Sequence, residues 1–426
     1  MSLAAEVIAP AAIPELVVST QLLTDEHLFS TLPLISLLPA HGGMAWVQND
    51  EGIIGWGESA RIVVRGRERF SRAQRWWNST VKQAEISDSV TLDGTGLVAF
   101  TSFAFEPGRS VIVIPEVVVG RKNGKTWMTT IHEKSDESPR FVVTEPDPRI
   151  PVGSIQWEEG TQPVSVWQRT VAGAIEKINH GDLDKVVLAR DIVARASNPL
   201  DVRNLLENLG ESYPECWLFL VDGLLGATPE LLITRKGEEV RSRVLAGTIK
   251  RDREIASDKL AEKLLQSDKD QEEHEYAVAS VAEALASHCT DLNVPDEPTV
   301  LKLANVQHLA TEITGMLVDD LPVLALAAEL HPTAAVCGTP TERAAALIRA
   351  IEGMDRGRYA GPVGWLNASN DGELGIALRC GEIDPDDARR IRLFAGCGIV
   401  AGSEPAAEVQ ESNAKFEPMR NALMNS

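Results

Sequence analysis

Cysteine is scarce in this chain, and its spacing suits neither a covalent nor a metal framework. Cys216, Cys289, Cys337, Cys380 and Cys397 are odd in number, and no two stand at a C-x-x-C spacing. That argues against a disulfide scaffold or a zinc site, and for reduced thiols in a cytosolic protein. Long apolar runs are absent too: no stretch reaches the roughly eighteen residues that a membrane helix needs. Met1 to Val18 is rich in Ala and Pro and has neither the basic start nor the compact apolar core of a secretory signal. The expected location is therefore the cytoplasm. Positive charge is the third shortage. With 41 Lys and Arg against 62 Asp and Glu the net charge is −21, which repels polyanions and makes nucleic acid a poor partner. An anionic substrate would then need local positive charge from a bound cation, an Arg or a Lys. Repeats of fixed period, low-complexity tracts, and P-loop or dinucleotide glycine patterns are also missing.

What remains is a chain of 426 residues, enough for one large domain or two ordinary ones. Residues 52–57, 97–100 and 110–115 are short apolar runs that predict strands, and 65–84 has helical character with Trp76 and Trp77 as packing anchors. The Pro-rich stretch 145–151 divides a structural N-terminal subdomain, 1–150, from a catalytic region, 151–426. Beyond it the pattern predicts a helix over 164–179 with Gly181 just past its end, a strand at 185–190, and strands at 216–221 and 231–234. A single long helix is expected over 253–288, then strands at 365–366, 374–379 and 391–394, and a last helix from Ala406. Strands and helices mix without strict alternation, so the expected class is α+β with mostly antiparallel sheet.

Several residues can carry chemistry. Asp270 and Glu273 stand three apart on one predicted helix, and Glu408 and Glu411 three apart on another. Each pair shares a helix face. On spacing alone these are solvated acidic faces. If the faces meet, four carboxylates converge with no evident internal cation, and a hard cation such as Mg²⁺ would be needed. Lys185 opens an apolar strand, where a lysine is usually a solvated end; a desolvated one can act as a base. Glu230 sits in a turn leading into a strand, exposed or else half-buried with a raised pKa. Glycine turns at 246–248, 337–340 and 394–399 allow close backbone approach to an anion. His308 and His331 are isolated. No phosphate-binding or nucleophile motif accompanies the acidic pairs, which counts against a magnesium phosphohydrolase.

The order and spelling of these segments carry more than any one of them. Lys185-Val-Val-Leu-Ala-Arg190, Gly226-Ala-Thr-Pro-Glu-Leu-Leu232, Leu245-Ala-Gly-Thr248, Lys269-Asp-Gln-Glu-Glu-His274 and His308-Leu-Ala-Thr311 come in sequence. They are followed by His331-Pro-Thr-Ala-Ala-Val-Cys-Gly338, Tyr359-Ala-Gly-Pro-Val-Gly-Trp365, Ala377-Leu-Arg-Cys380, Ala395-Gly-Cys-Gly-Ile-Val400 and Glu408-Val-Gln-Glu-Ser-Asn-Ala-Lys415. The set resembles the chorismate-binding family, which includes isochorismate synthases, salicylate synthases and the large subunits of anthranilate and aminodeoxychorismate synthases. The match runs over residues 154–420; the first 150 agree only in general character.

The resemblance implies one large α+β domain of the anthranilate synthase component I type, with two packed, mostly antiparallel sheets and helices outside. It assigns Lys185 as a general base activating water toward ring carbon C2, and Glu230 as the general acid that protonates the departing C4 hydroxyl. Asp270, Glu273, Glu408 and Glu411 match the carboxylates of a Mg²⁺ site that holds the ring carboxylate of chorismate, with Gly247 and Thr248 beside it. Tyr359 and Arg379 match the grip on the enolpyruvyl carboxylate. Lys415 matches a further cation, His308 a polar residue near the leaving hydroxyl, and Gly396 a close backbone contact.

In anthranilate-type members the position matching Lys185 is not lysine, because ammonia needs no base. Lysine here points to water as nucleophile and to no glutaminase subunit. The motifs at His331 and Cys337 look like those of isochorismate synthases, acting as monomers in siderophore or menaquinone biosynthesis. A salicylate synthase, which also eliminates pyruvate, is the alternative, and a silent binder of chorismate-like acids is another. One departure stands out: Ile249-Lys250-Arg251-Asp252 follows Thr248 where the family has a Pro-Arg-Gly-like turn.

Overall fold

The computed structural model describes residues 12–136, 147–251 and 255–426. The start of the chain, residues 145 and 146 of the Pro-rich break, Asp252 of the atypical loop and the expected start of the long helix at residue 253 lie outside them.

Among the described residues two large sheets form the frame, one of 13 strands and one of 10. Among the described residues every strand pair is antiparallel except Leu16–Leu22 with Glu85–Asp88. One buried apolar cluster draws on both sheets, with Trp46 and Ile53 from the larger and Phe100 and Ile112 from the smaller. This is the α+β arrangement that the sequence predicts. No described helix is long and apolar enough to cross a membrane. Strands from the first 150 residues take part in both sheets: Met44–Gln48 pairs with Trp217–Val221 in the larger, and Val98–Ser102 with Pro362–Asn367 in the smaller.

Two crossings between the sheets matter most. The strand Leu224–Thr228 belongs to the larger sheet and Leu231–Lys236 to the smaller, so Pro229 and Glu230 carry the chain across. Gly372–Ile376 lies in the smaller sheet and Cys380–Asp384 in the larger, so residues 377–379 cross back. The crossings are bound together: Thr228 Oγ1 donates to Ile376 O at 2.6 Å, Ile376 N to Glu230 O at 3.1 Å, and Ala227 N to Arg379 O at 3.3 Å. The strand expected over 374–379 therefore stops at Ile376, and Arg379 adopts φ +46°. A continuous apolar run cannot reveal such a switch, because the residues are buried on both sides of it.

The helix at Val164–Asn179 falls where its periodicity places it, and Gly181 has φ +80°. The single helix expected over 253–288 is two, Ser257–Leu265 and Asp268–Ala286. Ser267 divides them. Its side chain accepts from Asp270 N as an N-cap, and Asp268 and Asp270 in the new first turn favour a fresh start. Beyond its bulge the strand Glu239–Lys250 continues through Ile249 and Lys250, paired with Gln307 and Val306. The stretch after Thr248 is thus sheet rather than a free turn as far as residue 250. The last helix, Pro405–Met424, begins with Pro in its first turn.

Candidate active site

Glu230, Gly247, Thr248, Glu273, His308, Tyr359, Arg379, Gly396 and Lys415 all line one cavity, with about 590 Å³ of atom-free space partly open to solvent. Lys185, Asp270, Glu408 and Glu411 stand behind that lining, each tied to one of its members or to a neighbouring lysine. Sequence positions from 185 to 415 are thereby gathered into one place.

Glu230 is 4% exposed at the first crossing. Burial pushes its carboxyl up to about 8, against the opposing pull of Lys185, Arg379 and Lys415. It is a protonated acid at neutral pH. Lys185 opens the strand Lys185–Ala196 and is fully buried; its Nζ lies 3.2 Å from Glu273 Oε1 without a well-directed hydrogen bond. Both residues are desolvated, so the surface readings of Lys185 and Glu230 do not hold. Burial raises the Glu273 carboxyl, but Lys185 and Lys415 outweigh it and hold it below its usual value. A Cβ on Gly398 would stand 2.2 Å from Glu273 Oε1 and 3.1 Å from Lys185 Cε, so glycine there is what admits this pair. In the sequence Gly398 is one glycine of the Ala395–Val400 motif, and only the packing shows what it admits.

Gly247 occupies a bulge. The pairing of Glu239–Lys250 with Val306–Leu317 shifts between Ala246 and Thr248, and Gly247 has φ +71°. The bulge turns Thr248 N toward Asp270 Oδ1, 3.1 Å away, and Ser267 Oγ donates to the other oxygen at 2.5 Å. Burial raises the Asp270 carboxyl even so. Arg379 Nη2 donates to His308 Nε2 at 3.0 Å. That nitrogen must accept, so Nδ1 carries the hydrogen and faces Gly247 O at 3.2 Å and Thr248 Oγ1 at 3.1 Å. Burial and Arg379 hold His308 well below its usual pKa, and the ring is neutral. Arg379 Nε is buried with no partner among the described residues. Tyr359 stacks on Phe394 at 5.1 Å, and its hydroxyl lies so near Gly396 that a Cβ there would approach to 2.9 Å. Lys415 Nζ donates to Gly396 O at 2.9 Å and pairs with Glu411 at 2.6 Å.

Glu408 and Glu411 stand together, and Glu273 shares the influence of Lys415 and Lys269 with them. Asp270 sits beside Glu273 with Thr248 and Ser267 as its partners, so the carboxylates are not without internal cations. Glu273 has Lys185, Glu411 has Lys415, and Glu408 has Lys269 Nζ at 3.2 Å. The expectation of an uncompensated nest is corrected here, because lysines from three different elements converge on it. Lys269 lies beside Asp270 in the sequence motif, and its pairing with Glu408 appears only in the fold. A divalent cation still fits. Glu408, Glu411 and Cys397 bring ligand atoms within 4.8 Å of one another, and Glu408 Oε2 is buried with no well-directed hydrogen bond among the described residues. Burial and the charge of Glu411 raise the Glu408 carboxyl. Burial likewise pushes the Cys397 thiol well up, so it stays protonated and the usable donors are carboxylate oxygens. Such a donor set suits Mg²⁺.

A two-sheet antiparallel core with a buried acid at one crossing, an arginine at the other and carboxylates beside them forms a site with room for a small acid and oxygen donors for a cation. A family model described as "Chorismate binding enzyme" matches residues 41–424, and the chain belongs to that family. It is 32% identical over 408 residues to the salicylate biosynthesis isochorismate synthase of Pseudomonas aeruginosa, covering 89% of this chain and 84% of that one. It is 38% identical over 262 residues to isochorismate synthase MenF of Bacillus subtilis; that match covers 60% of this chain and spans only 55% of the Bacillus enzyme. The solved structure of MenF, the menaquinone-specific isochorismate synthase from Escherichia coli, superposes with a TM-score of 0.79 at 26% identity, covering 98% of this chain and 96% of that one.

Proposed function

We propose that the chain is an isochorismate synthase, interconverting chorismate and isochorismate with Mg²⁺ for menaquinone or siderophore biosynthesis. The observation that carries the reading is Glu230, a buried carboxyl protonated up to about pH 8 in a cavity walled by Arg379 and Lys415. Lys185 first releases to solvent the proton it holds beside Glu273, then takes one from water as the oxygen bonds to C2. The ring double bonds shift, the C4–O bond breaks, and the Glu230 proton leaves with the hydroxyl as water. One water is consumed and one released, so the net change is an isomerisation. The reset returns one proton to Glu230, balancing the one that Lys185 released.

Chorismate is a dianion. Arg379 and Tyr359 hold the enolpyruvyl carboxylate, and Lys415 adds positive charge that the acidic surface does not supply. His308, its neutral ring fixed by Arg379 on one nitrogen and Gly247 O on the other, stands near the C4 hydroxyl, while Gly247, Thr248 and Gly396 bring backbone close to the ring. Asp270, Glu273, Glu408 and Glu411 would hold Mg²⁺, directly or through water. When bound, the ion supplies charge that anchors the ring carboxylate. Fixing both carboxylates fixes the ring between acid and base. Because water is the nucleophile, no glutaminase partner is required, and the chain acts as a monomer in the cytoplasm.

The test is turnover in heavy-oxygen water. The reading requires one solvent oxygen at C2 of isochorismate per forward turnover. Retention of the substrate's own oxygen would contradict the roles of Lys185 and Glu230.

A further inference from the structure

A second cavity, with about 900 Å³ of atom-free space partly open to solvent, is lined by Arg67, Arg69, Phe70, Phe105, His331 and Arg349 among others. It lies back to back with the first: Arg356, which lines the first cavity, sits with its Cζ 4.2 Å from the ring of Phe105. Arg69 begins the helix Arg69–Gln83 and is only 7% exposed. Its Nη2 donates weakly to Ala104 O at 3.3 Å and Phe105 O at 3.5 Å, and its Nε is buried with no partner among the described residues. None of the described carboxylates forms an ion pair with it. A buried guanidinium without a counter-charge is costly and does not shed its proton.

The neighbours add to the imbalance. Arg67 is exposed and makes no ion pair among the described residues, and Arg349 reaches Glu106 at 3.3 Å. Three guanidiniums thus face one carboxylate, in a chain whose net charge is −21. His331 donates Nε2–H to Phe105 O at 3.3 Å and contributes no charge. The walls are flat and apolar. Phe70 stacks on Phe103 at 4.1 Å and lies 4.8 Å from Arg69 Cζ, and Phe105 meets His331 edge-on.

We propose that this cavity binds a small organic anion, a carboxylate on a flat apolar body, with Arg69 as its buried counter-charge and Phe70 and Phe105 as its walls. The proposal stands apart from the chemistry assigned to the first cavity. Calorimetric titration of the full chain with benzoate tests it, with benzamide as the neutral isostere and inorganic phosphate as the anion without a body. Benzoate should bind saturably and at least about tenfold more tightly than either control. Arg69→Met should lose benzoate while melting at the same or a higher temperature, since it removes a buried charge that has no partner. Arg67→Gln, an exposed change, should weaken benzoate severalfold, and Arg379→Gln in the first cavity should leave benzoate binding intact. No saturable benzoate binding, equal affinity for benzamide or phosphate, or unchanged affinity in Arg67→Gln would each overturn it. So would a lower melting temperature in Arg69→Met, or loss of binding in Arg379→Gln.

Discussion

Replacing Glu230 by Gln removes an ionisable group while keeping nearly the same shape. In the folded chain this carboxyl stays protonated up to about 8, whereas an ordinary one ionises near 4.5. Between those limits the folded state therefore holds one more proton than the unfolded state. The stabilisation is complete below about 4.5 and is lost as pH rises through about 8. The slope is about 1.4 kcal/mol per pH unit. Between pH 6 and pH 8 the wild type should lose about 2–3 kcal/mol that Glu230→Gln does not. Urea unfolding of both proteins at pH 6, 7 and 8 reads this directly, because all other titrating groups are shared. Turnover of the variant should fall by about 10²–10⁴-fold, the size of a lost general acid. If the two unfolding curves respond to pH identically, Glu230 is not the buried neutral acid described here.

Lys185→Ala should remove turnover by about 10²–10⁴-fold with an intact circular dichroism spectrum; near-normal kcat would exclude it as the base. Gly398→Ala places a methyl 2.2 Å from Glu273 Oε1 and should raise the Mg²⁺ concentration for half-maximal activity severalfold, so an unaltered metal titration would separate Glu273 from the ion. Lys269→Met frees Glu408 of its ammonium partner. Mg²⁺ binding measured by calorimetry should then tighten by about three- to tenfold, a modest gain because Lys269 is partly exposed; equal or weaker binding would refute the competition. Gly396→Ala should collide with the Tyr359 hydroxyl and raise KM for chorismate more than it lowers kcat, and the reverse split would place Tyr359 elsewhere in the mechanism.

Much of the candidate site was legible because its residues are spelled in fixed order along the chain. From Lys185 through Glu230, Gly247 and Arg379 to Lys415, each residue named lies in or directly behind one cavity. Secondary structure was legible where one face is wet, as at Val164–Asn179, whose buried positions recur at helical spacing. It was less legible where both faces are dry. Leu224–Thr228 and Leu231–Lys236 lie in different sheets, yet nearly every residue in both is buried, so no alternation marks the crossing at Glu230. The break at Ser267 was hidden by apolar spacing that continues across it, although a serine before two aspartates is a start signal. The lysines that compensate the carboxylates come from distant elements, Lys185 from a strand and Lys269 and Lys415 from two helices. Only the fold brings those charges together. Arg69 gave no sequence signal at all, because burial without a partner is a property of the packing.

The most direct test of the central claim is a product assay with purified protein, chorismate and Mg²⁺, separating products by chromatography and counting pyruvate. The account predicts isochorismate, no stoichiometric pyruvate, and loss of turnover on chelation. Salicylate with equal pyruvate, or no consumption of chorismate, would contradict it.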